Sequence, residues 1–267
     1  MISVTSLTSY LYCQRKLYLQ KVLGYKESVK EVSLIGKIKH KVFELSGKED
    51  REIIAKFNSK DSLDDLEMEY RRVYYSVIKF VILFHKKEIK ELNLKSLEIY
   101  QDLWPFFLEE ARTKSKELYD FSKEKGLYGD ALWLALPKGV PELWIKSEKL
   151  GLIGVVDRVE IDDGFKPVEI KTGKAPRDGV WKNHLIQVGA YMMLLSEHYG
   201  QRINAGYVEY VSIGEKREVR MNEFLKDEIL ELIDKVNSLL EGSSVPEKVE
   251  EEWKCASCGI KEQCYGL

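Results

Sequence analysis

The chain has 267 residues, enough for one large domain or for a core carrying an insertion. Its net charge of −2 excludes a surface that is basic all over, so a nucleic-acid partner has to be met by locally gathered Lys and Arg. No apolar run approaches membrane-spanning length, and no charged start leads into an apolar stretch with a small-residue cleavage site. An intracellular, cytoplasmic chain with no membrane contact is therefore expected.

Residues 3–22 open on Ser and Thr caps and read as a helix carrying Cys13. Residues 33–46 read as a second helix, on which Gly36, His40 and Glu44 recur every four residues and share a face. Residues 50–126 are helical and polar, with Leu63, Leu66, Tyr70, Val73, Val77, Val81 and Phe84 forming one apolar stripe. Asn93 marks a turn. The run 95–125 that follows contains Pro105, which should start or kink a helix there, and the two runs together predict an antiparallel helical hairpin. Three strands fill 141–171: Leu152–Ile161 is one, Phe165–Lys171 returns beside it, and Asp162-Asp163-Gly164 is a tight-turn signal between them. His184–Tyr199 is a helix, Ala205–Val211 and Lys216–Met221 are strands around a turn at Gly214-Glu215, and Glu223–Leu240 is an amphipathic helix stopped at Gly242. Four parts are expected: N-terminal helices over 1–48, a helical insertion over 49–140, an α/β core over 141–241 and a cysteine-bearing tail over 242–267.

Two groups of residues stand out chemically. Asp157, Glu169 and Lys171 are charges set among apolar residues, and burying them costs several kcal/mol per ion unless they are paired or bind something. Residues two apart on a strand share a face, so Glu169 and Lys171 point the same way, toward Asp157 across the hairpin, while Ile170 points into the core. Two converging carboxylates, with the Ile170 carbonyl beside them, suit Mg²⁺ or Mn²⁺, and a neighbouring lysine can orient a water or neutralise developing phosphate charge. Lys and Arg gather between 166 and 182, where Lys174 and Arg177, with Arg158 nearby, are candidate phosphate contacts. The second group is Cys13 with Cys255, Cys258 and Cys264, the last three spaced C-x₂-C-x₅-C. In a reducing compartment four such thiols predict one metal centre tying distant segments together, and the spacing fits either zinc or an iron–sulfur cluster.

Asp157, the Glu169-Ile170-Lys171 triplet and Gln187 followed by Tyr191 resemble the PD-(D/E)XK nuclease superfamily and, within it, the RecB-like branch. The cysteine pattern and the segment Tyr12-Cys13-x-Arg15-x-Leu17-Tyr18 are most similar to the fourth CRISPR-associated (Cas) exonuclease family. The resemblance covers about 1–48 and 140–267, and it implies an α/β fold: a mixed central sheet flanked by helices, in αβββαβ order. It further implies that His40 is a metal ligand, that Gln187 and Tyr191 position the strand, and that the cysteines hold a 4Fe–4S cluster in preference to zinc or a 2Fe–2S centre. The activity it implies is metal-dependent hydrolysis of DNA with single-stranded ends, trimming fragments for a CRISPR integrase complex. A repair or recombination nuclease and a non-catalytic iron–sulfur DNA-binding scaffold are the alternatives. The link between His40 and Asp157 is longer than that family usually has, and most of residues 50–126 stand outside the resemblance.

Overall fold

The computed structural model describes residues 1–28, 30–136, 138–161, 164–249, 251–256 and 258–267, and the chain divides into two compact units, Met1–Ser28 with Lys138–Leu267, and Val29–Pro137. The expected turn residues Asp162 and Asp163 lie outside the described residues.

The first unit begins with strand β1 (Ile2–Ser3) and helices α1 (Val4–Tyr12) and α2 (Gln14–Lys21). The single helix expected over 3–22 is thus two helices, broken at Cys13, whose backbone is extended at φ −164°, ψ 108°. The break is stabilised because the Cys13 sulfur accepts the Lys16 N–H at 3.3 Å and so caps α2. After the second unit come β2 (Lys138–Ser147), β3 (Leu152–Ile161), β4 (Phe165–Lys171), and then α8 (Lys182–Tyr199), β5 (Ala205–Tyr210), β6 (Glu215–Arg220) and α9 (Glu223–Glu241). Two short helices, α10 (Glu252–Ala256) and α11 (Lys261–Tyr265), form the cysteine tail.

Among the described residues six strands make one mixed sheet, in the order β1-β3-β4-β5-β6 with β2 also paired to β3. The β1–β3 and β4–β5 ladders are parallel and the rest antiparallel, the α/β architecture expected from the sequence. Helix α8 covers one face. It comes so close that a Cβ on Gly206 would stand 2.6 Å from Val188 Cγ1, and α9 packs on α8 where Gly189 faces Ile229. Val156, Val159, Val188, Ile186 and Val208 fill that core. On the other face Trp144 and Val155, paired across β2 and β3, are exposed, and Arg158, Glu160, Glu209 and Lys216 form a charged network.

The second unit comprises α3 (Glu31–Lys56), α4 (Leu63–Phe84), α5 (Lys86–Glu91), α6 (Ser96–Lys125) and α7 (Gly129–Ala135). The His40 helix runs ten residues past its expected end at Ser46, because Ile53, Ile54 and Phe57 carry its apolar face onward into the core. Helix α4 is secured by a capping box between Ser62 and Asp65. Tyr74 meets Phe107 while Glu67 meets Arg112, so α4 and α6 run antiparallel. Pro105 neither starts nor ends α6. Ile99 and Leu103 before it and Phe107 and Ala111 after it are buried on one stripe, and that packing holds the helix together across the proline. No helix among the described residues is long and apolar enough to cross a membrane.

Candidate active site

The site is built where β3 and β2 both depart from regular strand geometry. Core-facing residues of β3 run Leu152, Gly154, Val156 with period two, then jump to Val159; those of β2 jump from Leu143 to Val140. The register is unchanged on either side, Leu143 opposite Val156 and Pro141 opposite Arg158, but pairing lapses at the level between them, and Glu142 there has φ 47°. Asp157 sits at that level. The β3–β4 ladder likewise ends at Arg158 and Val168; beyond it the Ile170 N–H donates to Asp157 Oδ2 at 2.7 Å. A side-chain carboxylate has replaced a backbone acceptor, which carries Asp157 to the edge of Glu169-Ile170-Lys171.

Glu169 and Lys171 share the face of β4 that α8 covers. Lys171 Nζ donates to Glu169 Oε1 at 2.7 Å and to Gln187 Oε1 at 3.0 Å, and Gln187 Nε2 donates to the Tyr191 hydroxyl at 3.1 Å. The four-residue step from Gln187 to Tyr191 on α8 makes this relay possible. Glu169, Gln187 and Tyr191 are buried, so each polar link replaces water that the packing excludes. Burial, then the nearby charge of Glu169, raises the Tyr191 phenol far above its ordinary value, with Asp157 adding to the effect; it is a neutral hydrogen-bonding group. Gly154 makes room for it: a Cβ there would lie 2.8 Å from the Tyr191 ring. Ile170 is only half-buried and stands outside the core it was expected to enter, because the helix-covered face is the one bearing Glu169 and Lys171.

The other expected site residues are distributed differently. His40 lies on α3, in the second unit; Glu44, one turn on, is ion-paired with Lys41 and Lys48. Arg158 is engaged with Glu160 and Glu209 on the sheet face opposite α8. Lys174 and Arg177 stand exposed in the segment between β4 and α8. Not anticipated from sequence is a cluster at the start of α8: the Tyr210 hydroxyl lies 3.0 Å from His184 Nδ1 and accepts the Trp181 N–H at 3.3 Å. Burial, and secondarily the charge of Lys171, holds the His184 imidazole down at about 4.

All four cysteines line one cavity, in the first unit, together with Arg15, Lys16, Lys248, Lys254 and Lys261; among the described residues lining it there is no carboxylate and no imidazole. Burial pushes the Cys13 thiol up against the opposing Lys16 N–H, and neighbouring Cys258, Cys264 and Cys255 push it the same way. Arg15, itself buried, donates Nε to Cys264 Sγ at 3.1 Å, Nη2 to the Cys264 carbonyl at 3.1 Å and Nη1 to the Pro246 carbonyl at 2.7 Å. Tyr18 binds the Gly242 carbonyl, and the Gly259 carbonyl accepts from both Ser28 N and Ser28 Oγ. Among the described residues no set of three or more His, Cys, Asp or Glu side chains converges as a site for a single metal ion.

A family model for the PD-(D/E)XK nuclease superfamily matches residues 1–265. The chain belongs to that superfamily. Within it, the chain is 32% identical over 124 residues to a CRISPR-associated exonuclease Cas4/endonuclease Cas1 fusion of Leptospira interrogans, a match covering 44% of this chain and 23% of the fusion. It is 25% identical over 161 residues to a CRISPR-associated exonuclease Cas4 of Aeropyrum pernix, covering 56% of this chain and 77% of that one. It is also 25% identical over 303 residues to the human DNA replication ATP-dependent helicase/nuclease DNA2, covering 99% of this chain and 26% of the human protein. The chain thus spans about a quarter of the length of both the fusion and the helicase/nuclease.

Proposed function

We propose that this PD-(D/E)XK nuclease is a divalent-metal-dependent DNA exonuclease of the cytoplasm that trims single-stranded ends, with spacer acquisition alongside a CRISPR integrase complex as its setting. The observation that carries the reading is the relay Glu169–Lys171–Gln187–Tyr191, which fixes one ammonium against Glu169, while the Asp157 carboxylate is held on the Ile170 N–H between those two residues. Hard oxygen donors fit Mg²⁺ or Mn²⁺, and Asp157, Glu169 and the Ile170 carbonyl are the groups assigned to hold it. When bound, such an ion polarises the scissile phosphate and lowers the pKa of a coordinated water. Lys171 orients the attacking water and offsets charge developing on the phosphoryl oxygens. Gln187 sets the direction of Lys171, and Tyr191, kept neutral, sets Gln187. His40 is assigned to the metal on the family resemblance, and Arg158, Lys174 and Arg177 to phosphate contact.

The cysteine cavity is assigned a 4Fe–4S cluster. Four cysteine sulfurs, with Arg15 and four lysines and no carboxylate among the described residues lining the cavity, suit a cofactor of net negative charge, and the backbone ties of Arg15, Tyr18 and Ser28 support a structural part for it. A replication or repair nuclease is the second reading, favoured by the match to DNA2 along 99% of this chain.

The test is cleavage of end-labelled single- and double-stranded DNA by the pure protein with Mg²⁺, Mn²⁺ or excess chelator. Glu169→Gln and Lys171→Ala should each lower the rate by about 100-fold or more, with folding and DNA binding kept. Undiminished turnover in both variants, or in chelator, removes this active site. Mn²⁺ should serve at least as well as Mg²⁺, and His40→Ala should lose more activity in Mn²⁺ than in Mg²⁺, erasing that preference; unchanged rates in both metals remove the His40 assignment.

A further inference from the structure

We propose that Trp181 is a stacking platform for one nucleobase of a single DNA strand lying across the Lys171 site. The proposal rests on the nuclease reading and adds to it the feature that selects unpaired DNA.

An indole offers more apolar surface than any other side chain, yet Trp181 is 48% exposed. It is not loosely held. Its N–H donates to the Tyr210 hydroxyl at 3.3 Å and its Nε1–H to the Lys174 carbonyl at 3.4 Å. The segment leading to it is braced by Arg217, which donates Nη1 to the Pro176 and Gly179 carbonyls at 2.9 and 2.7 Å and Nη2 to the Arg177 carbonyl at 3.3 Å. The Tyr210 that holds Trp181 pairs with Lys171 across the β4–β5 ladder. A half-exposed indole is therefore anchored, through its backbone N–H, to the strand residue that stands level with Lys171 on the neighbouring strand.

The surrounding charge fits the rest of a nucleotide. Lys174 and Arg177 are exposed on the same segment, Arg177 with 98% of its side chain accessible and only a long 3.9 Å contact to the exposed Asp178 carboxylate, and the first turn of α8 carries no acidic residue to repel a phosphate. Every base has a π-face, so an aromatic platform with cations beside it binds single strands without reading sequence. In a duplex those faces are already stacked on neighbouring pairs, so the same platform disfavours intact double strands.

The experiment compares wild type, Trp181→Phe and Trp181→Ala in the full chain. Binding is followed with a short oligodeoxythymidine in chelator, and again with a single abasic nucleotide moved along the strand. Trp181→Ala should weaken binding about tenfold, within the range of one lost base stack, and raise KM by a similar factor with kcat little changed. Trp181→Phe should retain most of the affinity while losing the indole quenching expected when wild type binds. One abasic position should weaken wild type as much as Trp181→Ala does, and should add nothing to that variant. Unchanged affinity and KM in Trp181→Ala, or no sensitive abasic position, overturns the platform; Lys171→Ala still abolishing cleavage would then leave the nuclease reading standing. A wild type that binds with the abasic signature but never cuts would sink the nuclease reading and keep the platform.

Discussion

Lys171 has two acceptors, Glu169 Oε1 and Gln187 Oε1, and so its ammonium is aimed before any substrate arrives. The Asp-Glu-Lys set was legible because three charges among strand apolars demand a reason. What stayed hidden was the cluster of Trp181, His184 and Tyr210: aromatic residues flanking a helix start and ending a strand look like ordinary core, and only the fold joins them. His184 supplies a test of that join. Its folded pKa is depressed to about 4 from an ordinary 6.5 by burial first and by Lys171 second. As pH falls through that interval the unfolded chain takes up the proton before the folded one does, so stability present above about 6.5 declines toward about 4. Denaturant midpoints at about pH 7 and about pH 5 should drop more for wild type than for His184→Asn; equal slopes would mean that the ring titrates as freely in the fold as outside it.

Strands β3 and β2 owe their usefulness to an irregularity shared at one level, Asp157 and Glu142, which turns a half-buried carboxylate toward β4. The strands themselves were legible in the sequence, and the turn at Gly214 and the stop at Gly242 bounded the elements after β5, while the Asn222 cap of α9 is seen only in the structure. The three-residue jump from Val156 to Val159 could not be read, since VVDRV is equally compatible with unbroken alternation. The break at Cys13 was hidden for a related reason: SLTSYLYCQRKLYL contains no Gly or Pro, and the cap that ends one helix and starts the next is a sulfur. Gly154, by contrast, has a job that only packing reveals, leaving space for the Tyr191 ring. Gly154→Ala should cost about 1–3 kcal/mol of stability and lower kcat by displacing Tyr191 and with it the Gln187–Lys171 link. A thermal melt and a single-turnover rate check this together; an unaltered rate in a destabilised variant would uncouple Tyr191 from the reaction.

The first unit is discontinuous, 1–28 with 138–267, and its two pieces are tied at the sheet by β1 and at the cysteine cavity by Arg15. Protein purified without oxygen should be brown and hold about four irons per chain, and Cys13→Ala should lose them as fully as Cys264→Ala. Arg15→Ala should retain the thiols yet release iron faster to chelator and expose the tail to protease, with Arg15→Lys intermediate. Colourless protein with one zinc would replace the cluster by a structural ion, and iron retained in Cys13→Ala would remove Cys13 from the ligands. The discontinuity also imposes an order in time. Ile2 pairs with Leu152, so at about 5–20 residues per second β1 waits on the order of 10–30 s for its neighbour to be synthesised. The continuous 29–137 unit can finish folding during that wait, while Val4, Leu7 and Leu17 have no sheet to cover them. Arg15 waits longer still, 249 residues, for Cys264. Assembly of the four-cysteine cavity therefore follows translation of the whole core, and a ribosome stalled after β6 would leave a nascent chain with strands β3 and β4 already made and Cys13 still without Cys255, Cys258 and Cys264.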